Sequence, residues 1–512
     1  MATTVKEHPP ATDAAAGRPR AKKALLAVVA AAAALRVASF LLSENAGGDA
    51  LARALLTARW LQNPGLEFHF DVWLPIHIWM MGAVGAVVGD VELGCRLLSL
   101  VLGVASVGAM WALVRELDGE EAALYSSIVF ALYSLHIAYS STSSVDVPYL
   151  FFVLAGSALF FRARREGKSW LLVAGGLSLT LGAGMRYEAW VVIAALTLVL
   201  LYRREFERLA VFVPAAGAWP AFWMAYEWVT RGHPLYSPAL NYAWVSNDLS
   251  FYGISLLYRL LLPPGVILIT LTPLAVVGFL LSARRVRERR GTLAEFAFVL
   301  AFFAAVQCYQ IVAGGTMSYA RYTLTLGAMV AALAGVGFAR SFPRRSVVTG
   351  VMLANLAALF LLATVNNPFI NKVRSLAPVL HFTTYLEETG RYLREHLGPR
   401  DAVVIDDYNY ETNQIAAVAG LPLLGSERAF LIPDRIEQEK QRQKVAELWP
   451  YLRARRPTHL VYARQGELRR YLTLPAECSD TQVEEVRFVC VFQNVQYHIY
   501  ELHYPPTESG GG

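Results

Sequence analysis

Five connections between long apolar runs carry ionisable side chains, and their residue types define the chemistry open to this chain. The first holds Asp49, at the end of Glu44-Asn-Ala-Gly-Gly-Asp49, then Arg53 and Arg59, and further on His69, Asp71, Trp73, Pro75 and His77. The second reads Ser140-Ser-Thr-Ser-Ser-Val-Asp146-Val-Pro148 and the third Arg186-Tyr187-Glu188. The fourth contains Arg231, His233, Tyr236 and Asp248, the fifth Tyr319, Arg321 and Tyr322. Ionisable groups held near a bilayer are costly, which makes each a functional candidate by default. A carboxylate such as Asp49 or Asp146 can take the proton from an attacking hydroxyl or amine. Arg186 and Arg321, the latter beside Tyr322, can fork onto two oxygens of a lipid phosphate and stabilise the charge that develops there as a group departs. Arg53, Glu188, His77 and His233 are placed to serve an acceptor or to support the charged pairs. His69, Asp71 and His77 have ligand chemistry suited to a divalent metal, on a loop whose shape the spacing does not define.

Each candidate has a structural alternative. Asp49 could cap a helix over 50–60, and Asp146 the helix that opens at Pro148. Arg186 could pair with Glu188, and Arg321 with lipid headgroups. His233, before Pro234, reads as a turn residue, and Arg36 within the first apolar run as one paired inside the bundle.

The elements that must position these groups are membrane helices. Of the 512 residues, 55% are hydrophobic and 17% charged, against about 25% charged in ordinary globular domains. The apolar residues arrive in blocks of about 17–22, long enough to cross a bilayer. A soluble α/β or β-sandwich fold for the whole chain is excluded. The formal net charge of +6 sits mostly beside the apolar runs, so it reports orientation and argues against a nucleic-acid partner. The sequence predicts a polytopic α-helical membrane protein with about eleven spans: 24–42, 94–114, 121–139, 147–162, 170–185, 188–202, 209–229, 261–282, 293–313, 321–340 and 347–365. Residues 1–23 read as a disordered cytoplasmic amino terminus, followed by an uncleaved first helix. The side that carries the amino terminus then holds roughly 21 Lys/Arg and the opposite side roughly 6, the asymmetry expected of cytoplasmic and outer loops. Counting Trp73–Val88 as a crossing would reverse that bias. It therefore reads as an interfacial or re-entrant element within a first outer loop over 44–93.

From about residue 366 the pattern changes to alternating helix and strand, an extracytoplasmic α/β domain over 366–505 with a flexible tail over 506–512. Helices are expected over 383–397 and 435–449, and strands over 402–405, 459–462 and 486–492. Asp406-Asp407-Tyr408, after the first strand, has the position of a nucleotide switch point or of a structural turn. Cys478 and Cys490 lie in the exported part, where a disulfide is chemically allowed and geometry decides.

Taken in order, these features resemble a family. An Asp opens the first outer loop; a Trp-x-Pro-x-His-x-Trp stretch follows (Trp73 to Trp79). An Asp then closes the second loop, an arginine follows a Gly-rich helix (Gly182-Ala-Gly-Met-Arg186-Tyr187), and Arg321-Tyr322 opens a late helix. The pattern is similar to the GT-C glycosyltransferases that use polyprenyl-phosphate sugars, in particular bacterial relatives of the protein O-mannosyltransferases and of the lipid A aminoarabinose transferase. The resemblance implies Asp49 as general base and Asp146 in the same cavity. It also implies Arg186 and Arg321 at the donor phosphate, and a plasma-membrane (inner-membrane) enzyme transferring a sugar with inversion to an extracytoplasmic glycan, lipid or protein. The chain departs from the family where Ala50 follows Asp49 in place of Glu. It departs again where Trp73-Leu74-Pro75 replaces Lys-Pro-Pro. A transporter or flippase of a lipid-linked sugar is the rival reading, but such folds show repeated halves and charges at mid-membrane, and no such repeat is visible here.

Overall fold

Apolar runs in a bilayer must satisfy their backbone groups internally and so fold as helices. The computed structural model describes residues 13–364 apart from 46–47, 67–69, 71–72, 252–253, 289–290, 317–318 and 342–343. Further on it describes 385–398, 401–406, 415–416, 418–419, 429–431, 448–464, 468, 472–494 and 496–505. The helices are α1 (Asp13–Leu42), α2 (Gly48–Gln62), α3 (Pro75–Val88), α4 (Val91–Asp118), α5 (Glu120–Ala131), α6 (Ser134–Tyr139), α7 (Asp146–Glu166) and α8 (Ser169–Ala183). They continue with α9 (Glu188–Arg203), α10 (Phe206–Arg231), α11 (Tyr236–Phe251), α12 (Leu256–Glu288), α13 (Thr292–Ala313), α14 (Leu324–Ser341) and α15 (Arg345–Thr364).

Among the described residues seven helices are long and apolar enough to cross a membrane: Lys22–Leu42, α4, α7, α10, α12, α13 and Ala320–Ser341. The expected spans 170–185 and 188–202 are helices of 15 and 16 residues, about 22–24 Å at 1.5 Å per residue. That is short of a hydrocarbon core of roughly 30 Å. α3 has 14 residues and opens at Pro75, whose missing N–H costs nothing in a first turn.

The span expected over 121–139 is broken: α5 ends at Ala131, Tyr133 is extended, and α6 restarts at Ser134. Neither Gly nor Pro marks the break. A side chain from α1 stabilises it, because Arg36 Nη1 donates to Ala131 O at 3.1 Å and to Ala32 O at 3.2 Å, and Nη2 lies 2.8 Å from His136 Nδ1. A cation at a helix carboxyl end meets carbonyls that would otherwise be orphaned. Arg36 is thus paired inside the bundle. α12 is interrupted at Thr272 (φ 73, ψ 151), immediately before Pro273, which has no N–H to continue the ladder. Asn355 Nδ2 donates to Ile269 O at 3.2 Å and Ser134 Oγ to Thr270 O at 3.1 Å.

The chain forms two compact units. The first, Met1–Leu42 with Pro64–His381, has a core around Val107, Met110, Phe130, Tyr149, Phe160, Leu333 and Phe338. Several basic residues expected to mark the cytoplasmic side are ion-paired in it: Arg164 with Glu205 and Glu295, Arg203 with Glu295, and Arg285 with Asp118.

The second unit is Ser43–Asn63 with Phe382–Gly512. Leu51 of α2 shares a core with Leu386, Leu393, Val403 and Ile405, and Glu44 Oε2 accepts from Glu387 N at 3.2 Å in the first turn of helix Tyr385–His396. The sheet comprises β1 (Val403–Ile405), β2 (Ala429–Leu431), β3 (His459–Ala463), β4 (Thr481–Val483), β5 (Val486–Gln493) and β6 (Tyr497–His503). Its order is β2-β1-β3-β6-β5-β4. β2, β1 and β3 are parallel and the rest antiparallel. Alternate side chains enter opposite cores, Val403 and Ile405 on one face and Val404 on the other, the period-2 pattern of a strand. The expected helix over 435–449 lies outside the described residues up to 447, and a helix covers Leu448–Arg455. Cys478 and Cys490 form a disulfide, with Cα atoms 5.5 Å apart.

Candidate active site

The tight turn between α8 and α9 presents Arg186. Its backbone is fixed by Met185 N and Arg186 N donating to Gly182 O, each at 3.0 Å, and by Trp190 Nε1 donating to Ala183 O at 2.9 Å. The first turn of α3 touches the same turn, with Ile76 N donating to Gly184 O at 3.2 Å. A side chain at Gly184 would overlap the end of the Ile76 side chain unless that side chain shifted. The Trp-x-Pro-x-His stretch is thereby seated beside the arginine turn, with His77 fully buried in α3.

From that turn Arg186 reaches two carboxylates. Nη1 donates to Asp146 Oδ1, Nη2 to Glu188 Oε1, and Nε to both Glu188 oxygens at 3.1 Å. Asp146 is 2% exposed and also accepts from Ser144 Oγ. Burial alone would lower the Arg186 pKa; the charges of Asp146 and Glu188 overcome that and raise it, so the guanidinium stays charged. Five N–H groups are available on a guanidinium and three are engaged here, which leaves two for a ligand.

Aromatic side chains and a second arginine complete the cluster. Arg186 lies over the rings of Tyr322 and Tyr149, at 5.2 and 5.8 Å to the centroids. Tyr149 stands three residues after Asp146, hence on the same face of α7, and its hydroxyl accepts from Thr325 Oγ1 at 3.1 Å. Arg321 lies over Tyr319 and Tyr322, at 5.4 and 5.1 Å, and its Nη2 donates to Tyr322 Oη at 3.3 Å. Arg321 also acts electrostatically on Glu188. Gln307 Nε2 holds Tyr322 O at 2.6 Å. The first unit therefore gathers Asp146, Arg186, Glu188, Arg321 and Tyr322 from three separate stretches of sequence. Tyr149, Ser144, Gln307 and Thr325 were not singled out by sequence reasoning, although Tyr149 could have been found from its spacing to Asp146.

The ion-pair alternative for Arg186 is present, and Asp146 is occupied by the same pair. Two arginines and two carboxylates sum to zero charge, so the cluster can receive one further anionic group without accumulating negative charge beforehand.

Asp49 and Arg53 belong to the second unit. Asp49 is half-buried in the first turn of α2, where the helix dipole favours a carboxylate, and Arg53 is 3% exposed. His233 occupies the turn before α11, its Nδ1 accepting from Leu235 N at 3.2 Å, a turn residue as its neighbour Pro234 implied. His69 and Asp71 lie outside the described residues. No group of three or more His, Cys, Asp or Glu able to hold a metal occurs among those described. Asp406 is buried and accepts from Ala463 N and Leu468 N, both at 3.1 Å, the structural role of that position; Asp407 and Tyr408 are outside the described residues.

Comparison with known proteins follows this geometry. The family model described as dolichyl-phosphate-mannose-protein mannosyltransferase matches residues 74–226, the segment that carries Asp146, Arg186 and Glu188. The fold is similar to that of ArnT from Cupriavidus metallidurans bound to undecaprenyl phosphate. The TM-score is 0.62 at 14% identity over 93% of this chain and 97% of that one, and 0.60 for the same protein in its apo state. Two mannosyltransferase-like proteins of Bacillus subtilis (strain 168) are similar in part. YkcB is 40% identical over 73 residues, 14% of this chain and 10% of that protein. YycA is 30% identical over 129 residues, 25% and 19% respectively. The matches thus span about a tenth and a fifth of these two relatives' length. The helical architecture of this chain is thus similar to that of ArnT. Its stretch 74–226 is similar to the dolichyl-phosphate-mannose-protein mannosyltransferases.

Proposed function

We propose that this chain is a multi-pass membrane glycosyltransferase. In this reading it moves a sugar from a polyprenyl-phosphate donor to an acceptor on the extracytoplasmic side of the plasma membrane. The observation that carries the reading is the Asp146–Arg186–Glu188 cluster flanked by Arg321 and Tyr322 at the ends of apolar helices. The similarity to ArnT supports a lipid-phosphate donor, since that protein was solved with undecaprenyl phosphate.

In this reading Arg321 and the two remaining N–H groups of Arg186 hold the donor phosphate. The donor is a phosphodiester, and its departing phosphate gains a second negative charge. Donors fixed in advance at that position stabilise the charge as it develops. Asp146 and Glu188 keep the Arg186 fork aimed, which limits the reorganisation needed during the reaction. Asp49 acts as general base on the acceptor hydroxyl, which attacks the anomeric carbon opposite the leaving phosphate and inverts it. The acceptor is a glycan, lipid or protein hydroxyl, and no step requires a metal.

The transporter reading has one observation in its favour, the broken helix α12 at Thr272. Among the described residues the side chains that meet that break include Ser134, Asn355, Met352 and Tyr133, none of them charged at neutral pH, whereas transport sites at broken helices use charge at mid-membrane. The test is reconstitution in proteoliposomes with a labelled polyprenyl-phosphate sugar pool. Transfer with release of free polyprenyl phosphate, reduced by about 10²-fold or more in Asp49→Asn, is expected. Movement of intact donor across the bilayer without release would replace this reading with the transporter.

A further inference from the structure

Asp146 depends on the segment that precedes it. Residues 140–144 are five consecutive hydroxyl-bearing side chains, all buried, in a non-helical stretch whose backbone groups need partners inside the bundle. The hydroxyls turn back on nearby carbonyls: Ser140 Oγ donates to His136 O at 2.6 Å and Ser141 Oγ to Ala138 O at 2.7 Å. Such local bonds define the loop's shape and leave its position to other contacts.

A stripe on α4 sets that position. Arg96 Nε donates to Ser141 O at 2.7 Å, while its Nη2 donates to Phe40 O at 2.8 Å, in the last turn of α1. The guanidinium also lies 4.3 Å from the Phe40 ring centroid. Ser99, three residues on, donates to Ser144 O at 3.4 Å. Gly103, one turn further, sits so close to the loop that an added Cβ would overlap Ser140 and come within 3.3 Å of Val147. Positions 96, 99 and 103 share one helix face. Arg96 is the charged member, and it ties the loop and the end of α1 together through one planar fork.

We propose that Arg96 is a positioning residue for the transfer site. By anchoring Ser141 it fixes the start of α7 and keeps Asp146 on Arg186. The inference rests on the functional reading above, and its test is built to fail separately. Arg96→Met and Arg96→Lys are compared in the reconstituted full-length protein with the donor concentration varied. Arg96→Met is expected to raise the donor KM and to lower kcat/KM by about 10–100-fold, the scale of a sub-ångström to 1 Å misplacement. Arg96→Lys, which keeps one cationic donor, falls between it and wild type. A lower kcat with unchanged KM would mean fewer folded molecules and would overturn the proposal. Loop order is read independently by maleimide labelling of Ser143→Cys with Cys95 and Cys308 replaced by alanine. Labelling about tenfold faster in Arg96→Met is expected for a loosened loop, and an unchanged rate overturns the anchor. If wild type transfers nothing, the functional reading fails, and the labelling contrast still decides whether Arg96 holds the loop.

Discussion

Removing Arg186 should cost more than removing Asp146, and removing both should cost less than the sum. The side chains are 10% and 3% exposed, so solvent screens their interaction little. In Asp146→Asn, Arg186 keeps its fork on Glu188, and the loss is one charge-assisted hydrogen bond, about 1.5–3 kcal/mol. In Arg186→Met, Asp146 stays buried with a hydroxyl donor from Ser144 and a like charge on Glu188. An uncompensated buried carboxylate of this kind costs about 3–5 kcal/mol. In the double variant residue 146 is neutral and Glu188 retains the field of Arg321. A coupling of about 1–3 kcal/mol in the direction of recovery is therefore expected. The assay is unfolding of the four proteins in mixed micelles, followed by tryptophan fluorescence and helical circular dichroism. Single-variant effects that add to the double within about 0.5 kcal/mol, or an Asp146→Asn variant less stable than Arg186→Met, would refute the reasoning.

Other outcomes follow from the same contacts. Arg321→Met should raise the donor KM by about 10–100-fold, consistent with loss of a charge-assisted contact, and Arg321→Lys should raise it less; steady-state kinetics with varied donor decide, and an unchanged KM removes Arg321 from the phosphate. Reducing Cys478–Cys490, twelve residues apart, should destabilise the sheet by about 2–3 kcal/mol; hydrogen exchange in β5 of the full-length protein, with and without reductant, reports it. His498 is fully buried, and its Nε2 accepts from Arg464 Nε at 3.1 Å. Burial and, next, the Arg464 charge push its pKa down to about 4, while the unfolded chain takes up the proton near pH 6.5. Its contribution is therefore fully present above about pH 6.5 and is lost as the pH falls towards 4, at most about 3 kcal/mol. Exchange in β6 should accelerate over that window and lose its pH dependence in His498→Gln.

The helices were legible because a bilayer leaves long apolar runs few alternatives. Trp73–Val88 reads as re-entrant because a crossing there conflicts with the charge asymmetry of the remaining loops. The break after Ala131 was not legible, since its partner Arg36 is 95 residues away in sequence; the break at Thr272 had a local signal in Pro273. Glu188 beside Arg186 was visible as neighbouring letters. The meeting of Arg186 with Asp146 needs two helix ends to converge across 40 residues, which spacing alone cannot encode. Likewise, only long-range packing of Leu51 against Leu386 and Val403 shows that 43–63 folds with the carboxyl-terminal sheet.

The most direct measurement is a cryo-electron microscopy map of the protein in lipid nanodiscs with undecaprenyl phosphate. The phosphate is expected within hydrogen-bond distance of Arg321 and of the free N–H groups of Arg186. The Asp49 carboxylate should lie close enough to reach an acceptor oxygen directly or through one water, about 2.6–3.2 Å per step. Phosphate density away from both arginines, or Asp49 beyond the reach of one bridging water, would contradict the mechanism.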